Sequence, residues 1–134
     1  MPRALEAAGL EAALQELVEK SFEGTGLRAQ FDAFRVPAGL PADQALALYR
    51  VAQELLNNVV RHAGATEVDL QLLGRAEELV LTVEDNGRGF DPEQASKGIG
   101  QLNMQTRLKA VGGSLSYETG SDQGTRAVVR LPLT

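Results

Sequence analysis

The stretch YRVAQELLNNVVRHA, residues 49–63, decides the fold of this chain of 134 residues. At about 100° per residue it divides into an apolar half and a polar half, which predicts an amphipathic helix. The helix is expected to run from about Ala42 to Ala63 and to end at Gly64, with Asp43 as a candidate N-cap. Its apolar half consists of Leu48, Ala52, Leu55, Leu56, Val59, Val60 and Ala63.

The polar half of this helix contains Arg50, Glu54, Asn57, Asn58, Arg61 and His62. It has two interpretations, a solvated face or a binding face. Adjacent asparagines inside a helix each cost several tenths of a kcal/mol relative to Ala or Lys, so solvation alone explains them poorly. Carboxylate and amide oxygens bind Mg²⁺, and Arg binds phosphate. The helix alone does not decide between a solvated face and a binding face.

A second feature, EDNGRGFDP at residues 84–92, follows the strand-like run ELVLTV. The spacing excludes an EF-hand loop, because the ligand positions after Asp85 fall on Gly87 and Gly89. Asn-Gly favours a hairpin turn, although Pro92 disfavours a strand directly after it. The third interpretation is a ligand loop. Asp85 would accept a hydrogen bond from an amino group such as adenine N6, and the glycines would let the base approach the backbone.

Two further glycine clusters follow. KGIGQLNM, residues 97–104, leads into a helix, and backbone N–H groups at such a turn bind phosphate. GSDQGTR, residues 120–126, lies between the last two strands. A flexible loop and a hairpin turn are the alternative interpretations of these two segments.

The remaining pattern predicts an α+β fold. Short links between several strands require a mixed, mostly antiparallel sheet of about five strands, and the simplest burial is a two-layer α/β sandwich with helices on one face. Helices are predicted at 4–22, 42–63 and 101–111, and strands at 27–36, 66–74, 78–85, 114–119 and 125–133.

The composition of the chain argues against several classes of function. A net charge of −5 and an aromatic content of 4% argue against nucleic acid as a partner. The absence of Cys excludes disulfides and thiolate metal sites. The first residues, MPRALEAAGLEAAL, lack the basic start and apolar core that are typical of a signal peptide, and no apolar run approaches about 18 residues. We therefore expect a cytoplasmic protein or the cytoplasmic part of a membrane-bound sensor.

The four clusters, taken in order, resemble the GHKL superfamily of ATPases and kinases, whose fold is called the Bergerat fold. ELLNNVVRHA resembles its N box, DNGRGF its G1 box, GIGQLNM its G2 box and GSDQGT its G3 box. LYRVAQELLNNVVRHAGA, MQTRLKAVGGSL and PRALEAAGLEAALQEL are similar to sensor histidine kinases of the nitrate-sensor-like group. The resemblance implies one ATP-binding catalytic domain over residues 1–134, in which residues 1–24 form a helix that follows a dimerisation domain.

The resemblance also implies roles for the N-box residues. Glu54 would be the acid that helps to deprotonate the phosphate acceptor, with a further role as a metal ligand. Asn58 would bind Mg²⁺, and Arg61 and His62 would lie near the phosphates of ATP.

The remaining roles concern the adenine base and a lid over the triphosphate. Asp85 would accept a hydrogen bond from adenine N6, and Thr125 would help to hold Asp85 or the base. The glycines with implied roles are Gly87 and Gly89 beside the base, Gly98 and Gly100 as lid hinges, and Gly124 before Thr125. Gln101 departs from the family pattern, which commonly has Leu there, so the packing of the lid is expected to differ.

The implied function is transfer of the ATP γ-phosphate to a histidine. The only histidine, His62, lies in the N box, so the acceptor is expected on a dimerisation domain outside this chain. We expect a monomeric catalytic fragment, a homodimeric full-length protein and a downstream response regulator. The alternatives are an anti-sigma-type Ser/Thr kinase of the same fold and a nucleotide-binding regulatory interaction module.

Overall fold

A computed structural model describes residues 2–87, 99–119 and 124–133. Within these residues, three helices and five strands follow the predicted order. The helices are α1 (Arg3–Ser21), α2 (Ala42–Asn58), which continues into a π-helical turn (Val59–Ala63), and α3 (Ile99–Ala110). The strands are β1 (Arg28–Phe34), β2 (Glu67–Gly74), β3 (Glu78–Asp85), β4 (Ser114–Thr119) and β5 (Thr125–Pro132).

The five strands form one sheet in the order β1-β2-β3-β5-β4. β1 pairs in parallel with β2, and every other pair is antiparallel. The predicted mixed, mostly antiparallel sheet of an α+β fold is therefore confirmed. The parallel pair arises because α2 lies between β1 and β2 in the chain and carries it back across the sheet.

One face of the sheet is buried under the helices. Along β2, Val68, Leu70 and Leu72 are buried, and the residues between them are exposed. These three pair with Asp85, Val83 and Leu81 of β3, which therefore face the same side. The helices contribute Leu14, Leu48, Leu56 and Met104 to this core.

The helices depart from the sequence prediction at three points. α1 is interrupted at Gly9, whose φ of 83° is not helical. α2 begins directly after Pro41, so Asp43 lies in its first turn and is not the N-cap; its Oδ1 accepts a hydrogen bond from the Gln44 N–H at 2.9 Å. No helix among residues 2–87, 99–119 and 124–133 is long and apolar enough to span a membrane.

The third departure is the π-helical turn at the end of α2. The α-helix ends at Asn58, and the Val59 N–H donates to the carbonyl oxygens of both Leu55 and Leu56. Because a π-turn places more residues in each turn, the residues after Asn58 rotate away from their α-helical positions. Val59 stays buried, whereas Val60, predicted on the apolar half, is 43% exposed.

Candidate functional site

Four of the predicted site residues lie together at one end of the sheet: Asp85, Gly87, Gly124 and Thr125. Val68, Asp85 and Thr125 mark this end, which we call the Asp85 end. β3 finishes there, β5 begins there, and β2 begins beside them. Only the short 64–66 connection separates β2 from the π-helical turn. Three residues span at most about 11 Å, so the C-terminal end of α2 lies close to the same end of the sheet.

Asp85 and Thr125 are opposite partners in the β3–β5 register, and both side chains are buried. The Asp85 Oδ1 accepts the Gly87 N–H at 2.8 Å. Burial raises the pKa of Asp85, and hydrogen bonds from the backbone N–H groups of Gly87 and Thr125 partly oppose this rise. A carboxylate has about four lone-pair sites, so acceptor capacity remains for a further donor such as an amino group.

Gly124 allows β5 to approach Asp85 closely. Its φ is +80°, and a Cβ at this position would lie 2.0 Å from the carbonyl oxygen of Asp85 and 3.1 Å from the Cα of Asn86. Only glycine fits such a position without backbone displacement. Gly124, predicted as a nucleotide-binding residue, therefore also has a packing role that needs no ligand.

Asn86 is a feature of the site that the sequence analysis missed. Its Oδ1 accepts the backbone N–H groups of Thr66 and Glu67, each at 2.9 Å. Its Nδ2 donates to the Thr66 Oγ1, also at 2.9 Å. The side chain thus ties the residue after Asp85 to the beginning of β2. The Asn-Gly pair indicated a turn, but only the fold shows which strand this amide contacts.

The exposed face of α2 carries the second group of predicted residues. Glu54 and Asn58 are half-buried and four residues apart, which makes them neighbours along the helix. Arg61 in the π-helical turn is exposed. One turn before Glu54, the Arg50 Nη1 donates to the Gln53 Oε1 at 3.1 Å.

The donor set on α2 can be compared with what a metal ion requires. Within the described part of the chain, no three His, Asp or Glu residues lie together as a metal site made only of protein ligands would need. Mg²⁺ is commonly held by one or two protein ligands, with phosphate oxygens and water completing an octahedron. One amide oxygen from Asn58 and one carboxylate from Glu54 fit such a partial set.

The structure does not describe every residue that the sequence predicted for the site. Gly89 and Gly98 lie outside the described residues, as does most of the segment between β3 and α3. Gly100 lies in the first turn of α3, whereas the side chains of His62 and Gln101 are not described. The structure thus brings together Asp85, Gly87, Gly124 and Thr125, and it places Glu54 and Asn58 on the helix that leads to them.

Residues 43–134 match the family of histidine kinase-, DNA gyrase B- and HSP90-like ATPases. The chain belongs to this family. The match begins in the first turn of α2 and includes the remainder of the chain, so it contains every residue of the candidate site. The GHKL resemblance is thereby confirmed, and ATP is the nucleotide of the family.

Two histidine kinases are similar to this chain over nearly its whole length, so the similarity also includes α1 and β1. Sensor histidine kinase MctS of Rhizobium johnstonii is 39% identical over 98% of this chain, and UhpB of Salmonella typhimurium, a histidine-protein kinase/phosphatase, is 37% identical over 98%. The chain spans 29% and 26% of the lengths of these two relatives.

Solved structures of low identity share the fold. The histidine kinase domain of the blue-light activated kinase EL346 from Erythrobacter litoralis superposes with a TM-score of 0.78 at 22% identity, covering 94% of this chain and 60% of that one. The histidine kinase AdeS of Acinetobacter baumannii gives 0.77 at 17% identity, covering 92% and 64%. These likenesses confirm the two-layer arrangement of an ATPase domain of this family.

Proposed function

We propose that this chain is the ATP-binding catalytic domain of a two-component sensor histidine kinase. It would transfer the γ-phosphate of ATP to a histidine on a dimerisation domain that lies outside residues 1–134. The observation that carries the proposal is the buried Asp85 carboxylate, held by two backbone N–H groups at the end of a sheet of this family. The kinase relatives, which match 98% of the chain, support the same function.

Asp85 would recognise the adenine base. Its carboxylate already accepts the Gly87 N–H, so its direction is fixed before a nucleotide arrives. Its remaining acceptor capacity suits the exocyclic amino group of adenine, which guanine lacks at the same ring position. Thr125 would support this contact from the facing strand, and Gly87 and Gly89 would line the base.

Phosphoryl transfer would break the bond between the γ-phosphorus and the β,γ-bridging oxygen, and ADP would leave with that electron pair. The lone pair of one imidazole nitrogen of the acceptor histidine forms the new P–N bond. The proton on the other ring nitrogen passes to the carboxylate of Glu54. Most of the acceleration in such a transfer comes from positioning and charge neutralisation.

Asn58, with Glu54 as a second ligand, would hold Mg²⁺ together with the phosphates. The bound ion would neutralise charge on the β- and γ-phosphates. Arg61 and His62 would approach the phosphates from the π-helical turn, and Gly98 and Gly100 would be hinges of a lid that excludes water.

The full-length protein would be a homodimer that passes its phosphoryl group to a response regulator. In it, α1 would connect the dimerisation domain to the catalytic domain, and the catalytic domain would be cytoplasmic. The names of the relatives, a sensor histidine kinase and a histidine-protein kinase/phosphatase, support a role of this kind in signal transduction.

Calorimetry with a non-hydrolysable ATP analogue and Mg²⁺ tests the nucleotide site. We expect wild-type binding and a loss of about 10- to 100-fold in Asp85→Asn, because one charge-assisted hydrogen bond is weakened. Glu84→Gln is the matched control, since Glu84 neighbours Asp85 but is exposed. Unchanged affinity in Asp85→Asn would exclude the adenine contact.

The phosphorylated product tests the type of kinase. Labelled ATP would be added with a dimerisation-domain protein or with candidate Ser/Thr partner proteins. Acid-labile label on the dimerisation-domain protein supports the histidine kinase. Acid-stable label on another partner would instead support the anti-sigma-type Ser/Thr kinase.

A further inference from the structure

The side chain of Asn86 connects the residue after Asp85 to residues 66 and 67 through three hydrogen bonds. It accepts the N–H groups of Thr66 and Glu67 and donates to the Thr66 Oγ1, all at 2.9 Å. Its own backbone N–H donates to the Glu67 carbonyl oxygen at 3.3 Å. Only an amide of this length supplies both the accepting oxygen and the donating nitrogen.

Asn86 lies in the chain between Asp85 and Gly87, whose N–H is one of the two backbone donors to the Asp85 carboxylate. Asp85 supplies the carboxylate, and Gly87 supplies the N–H that holds its Oδ1 at 2.8 Å. The backbone at residue 86 therefore sets the geometry of that hydrogen bond. Because the Asn86 side chain is anchored to β2, the direction of the carboxylate depends on a strand that would not itself contact the nucleotide.

We propose that Asn86 is a positioning residue for adenine recognition. Its amide ties the 85–87 segment to Thr66 and Glu67, which holds the Asp85 carboxylate in the direction that accepts the amino group of the base. This inference rests on the proposed function. It adds that the selectivity for the amino group depends on a side chain that does not contact the nucleotide.

The hydrogen bonds of the Asn86 side chain also connect the Asp85 end to the chain segment that follows α2. Thr66 follows the π-helical turn at the end of α2 by only two residues, Gly64 and Ala65. The Asn86–Thr66 contact thus joins the helix of Glu54 and Asn58 to the strand of Asp85. A loosened contact is expected to affect the base first, because Asp85 is the direct covalent neighbour of Asn86.

The test measures binding of two Mg²⁺–triphosphate analogues to residues 1–134. One carries adenine, and the other carries a purine without the exocyclic amino group. Asn86→Ala should weaken the adenine analogue by on the order of tenfold and leave the purine analogue within about twofold. Equal weakening of both analogues would overturn the inference, because a general loss of structure affects both.

A double-mutant cycle provides the second readout. If Asn86 acts through Asp85, the double variant Asn86→Ala, Asp85→Asn should bind the adenine analogue as weakly as Asp85→Asn alone. Losses that simply add would overturn the inference while leaving the adenine contact of Asp85 intact. A wild-type chain that binds neither analogue would overturn the proposed function itself.

Thr66→Val keeps the test decisive if Asn86→Ala does not fold. This change removes only the Oγ1 that accepts the Asn86 Nδ2 and leaves both backbone bonds to the Asn86 Oδ1. We expect a smaller loss of adenine preference in the same direction. An unchanged ratio of the two affinities in a folded Thr66→Val variant would overturn the inference.

Discussion

Asp85 and Thr125 face each other across β3 and β5 at the last register pair of the two strands, and each side chain is more than nine-tenths buried. Among the described residues, the only other buried polar side chain is that of Thr82. A buried carboxylate without a cationic partner costs stability unless hydrogen bonds compensate. The N–H groups of Gly87 and Thr125 supply that compensation in part. The buried Asp85 carboxylate is therefore expected to lower stability, and the proposed adenine contact gives a reason for its presence.

Asp85→Asn should stabilise the protein at neutral pH while it weakens nucleotide binding. Burial raises the pKa of Asp85, so the folded state holds the proton more tightly than the unfolded chain does. The stability contribution of Asp85 is therefore largest below its unfolded pKa and is lost as pH rises towards the folded pKa.

Urea denaturation of both proteins between about pH 4 and pH 7 measures this effect. The difference in the free energy of unfolding between Asp85→Asn and wild type should grow in favour of the variant as pH increases. A difference that stays constant with pH would contradict the raised pKa.

Gly124→Ala should destabilise the fold through a steric clash. The new Cβ would approach the Asp85 carbonyl oxygen to 2.0 Å, in addition to the strain of a positive φ. Gly112→Ala is the matched control, because Gly112 has a φ of +78° but no atom within 4 Å of the added Cβ. We expect Gly124→Ala to lose at least about 2 kcal/mol more than Gly112→Ala in urea denaturation. Equal losses would show that the backbone adjusts freely.

Asn58→Ala should weaken binding of the ATP analogue by about tenfold in Mg²⁺ and have little effect in EDTA, because it removes one oxygen ligand. Asn57→Ala is the control, since it removes the same group from the adjacent exposed position of α2. Calorimetry of both variants with and without Mg²⁺ checks the assignment. A loss in Asn58→Ala that persists in EDTA would assign Asn58 to the nucleotide and not to the metal.

Glu54→Gln should slow phosphotransfer at saturating ATP by about 100-fold or more, because the amide cannot take the proton from the acceptor. The affinity for the Mg²⁺–ATP analogue should fall much less, by about tenfold at most, since the amide keeps an oxygen that can contact the ion. The measurement is phosphorylation of an added dimerisation-domain protein at saturating ATP. Gln53→Ala, which removes the neighbour bonded to Arg50, serves as the control. Normal phosphotransfer in Glu54→Gln would leave Glu54 without a role in proton transfer.

Much of the fold follows from local pattern. The alternation of EVDLQLLG and the buried run of ELVLTVED predicted β2 and β3 with nearly correct bounds, because alternate side chains of a strand face opposite sides of a sheet. Helical periodicity did not predict the interruption of α1 at Gly9 or the exposure of Val60. The apolar periodicity of a sequence does not show where a helix is interrupted or where it continues as a π-helical turn.

The sequence by itself determined the residue types of the site: a carboxylate after a strand, glycines that follow it, and an amide one turn from an acid on an amphipathic helix. The tertiary structure decided which of them meet. The register places Thr125 opposite Asp85, the missing Cβ of Gly124 lets β5 approach, and Asn86 reaches across to Thr66. These contacts join residues about 20 to 40 positions apart in the chain, and local periodicity contains no information about such pairs.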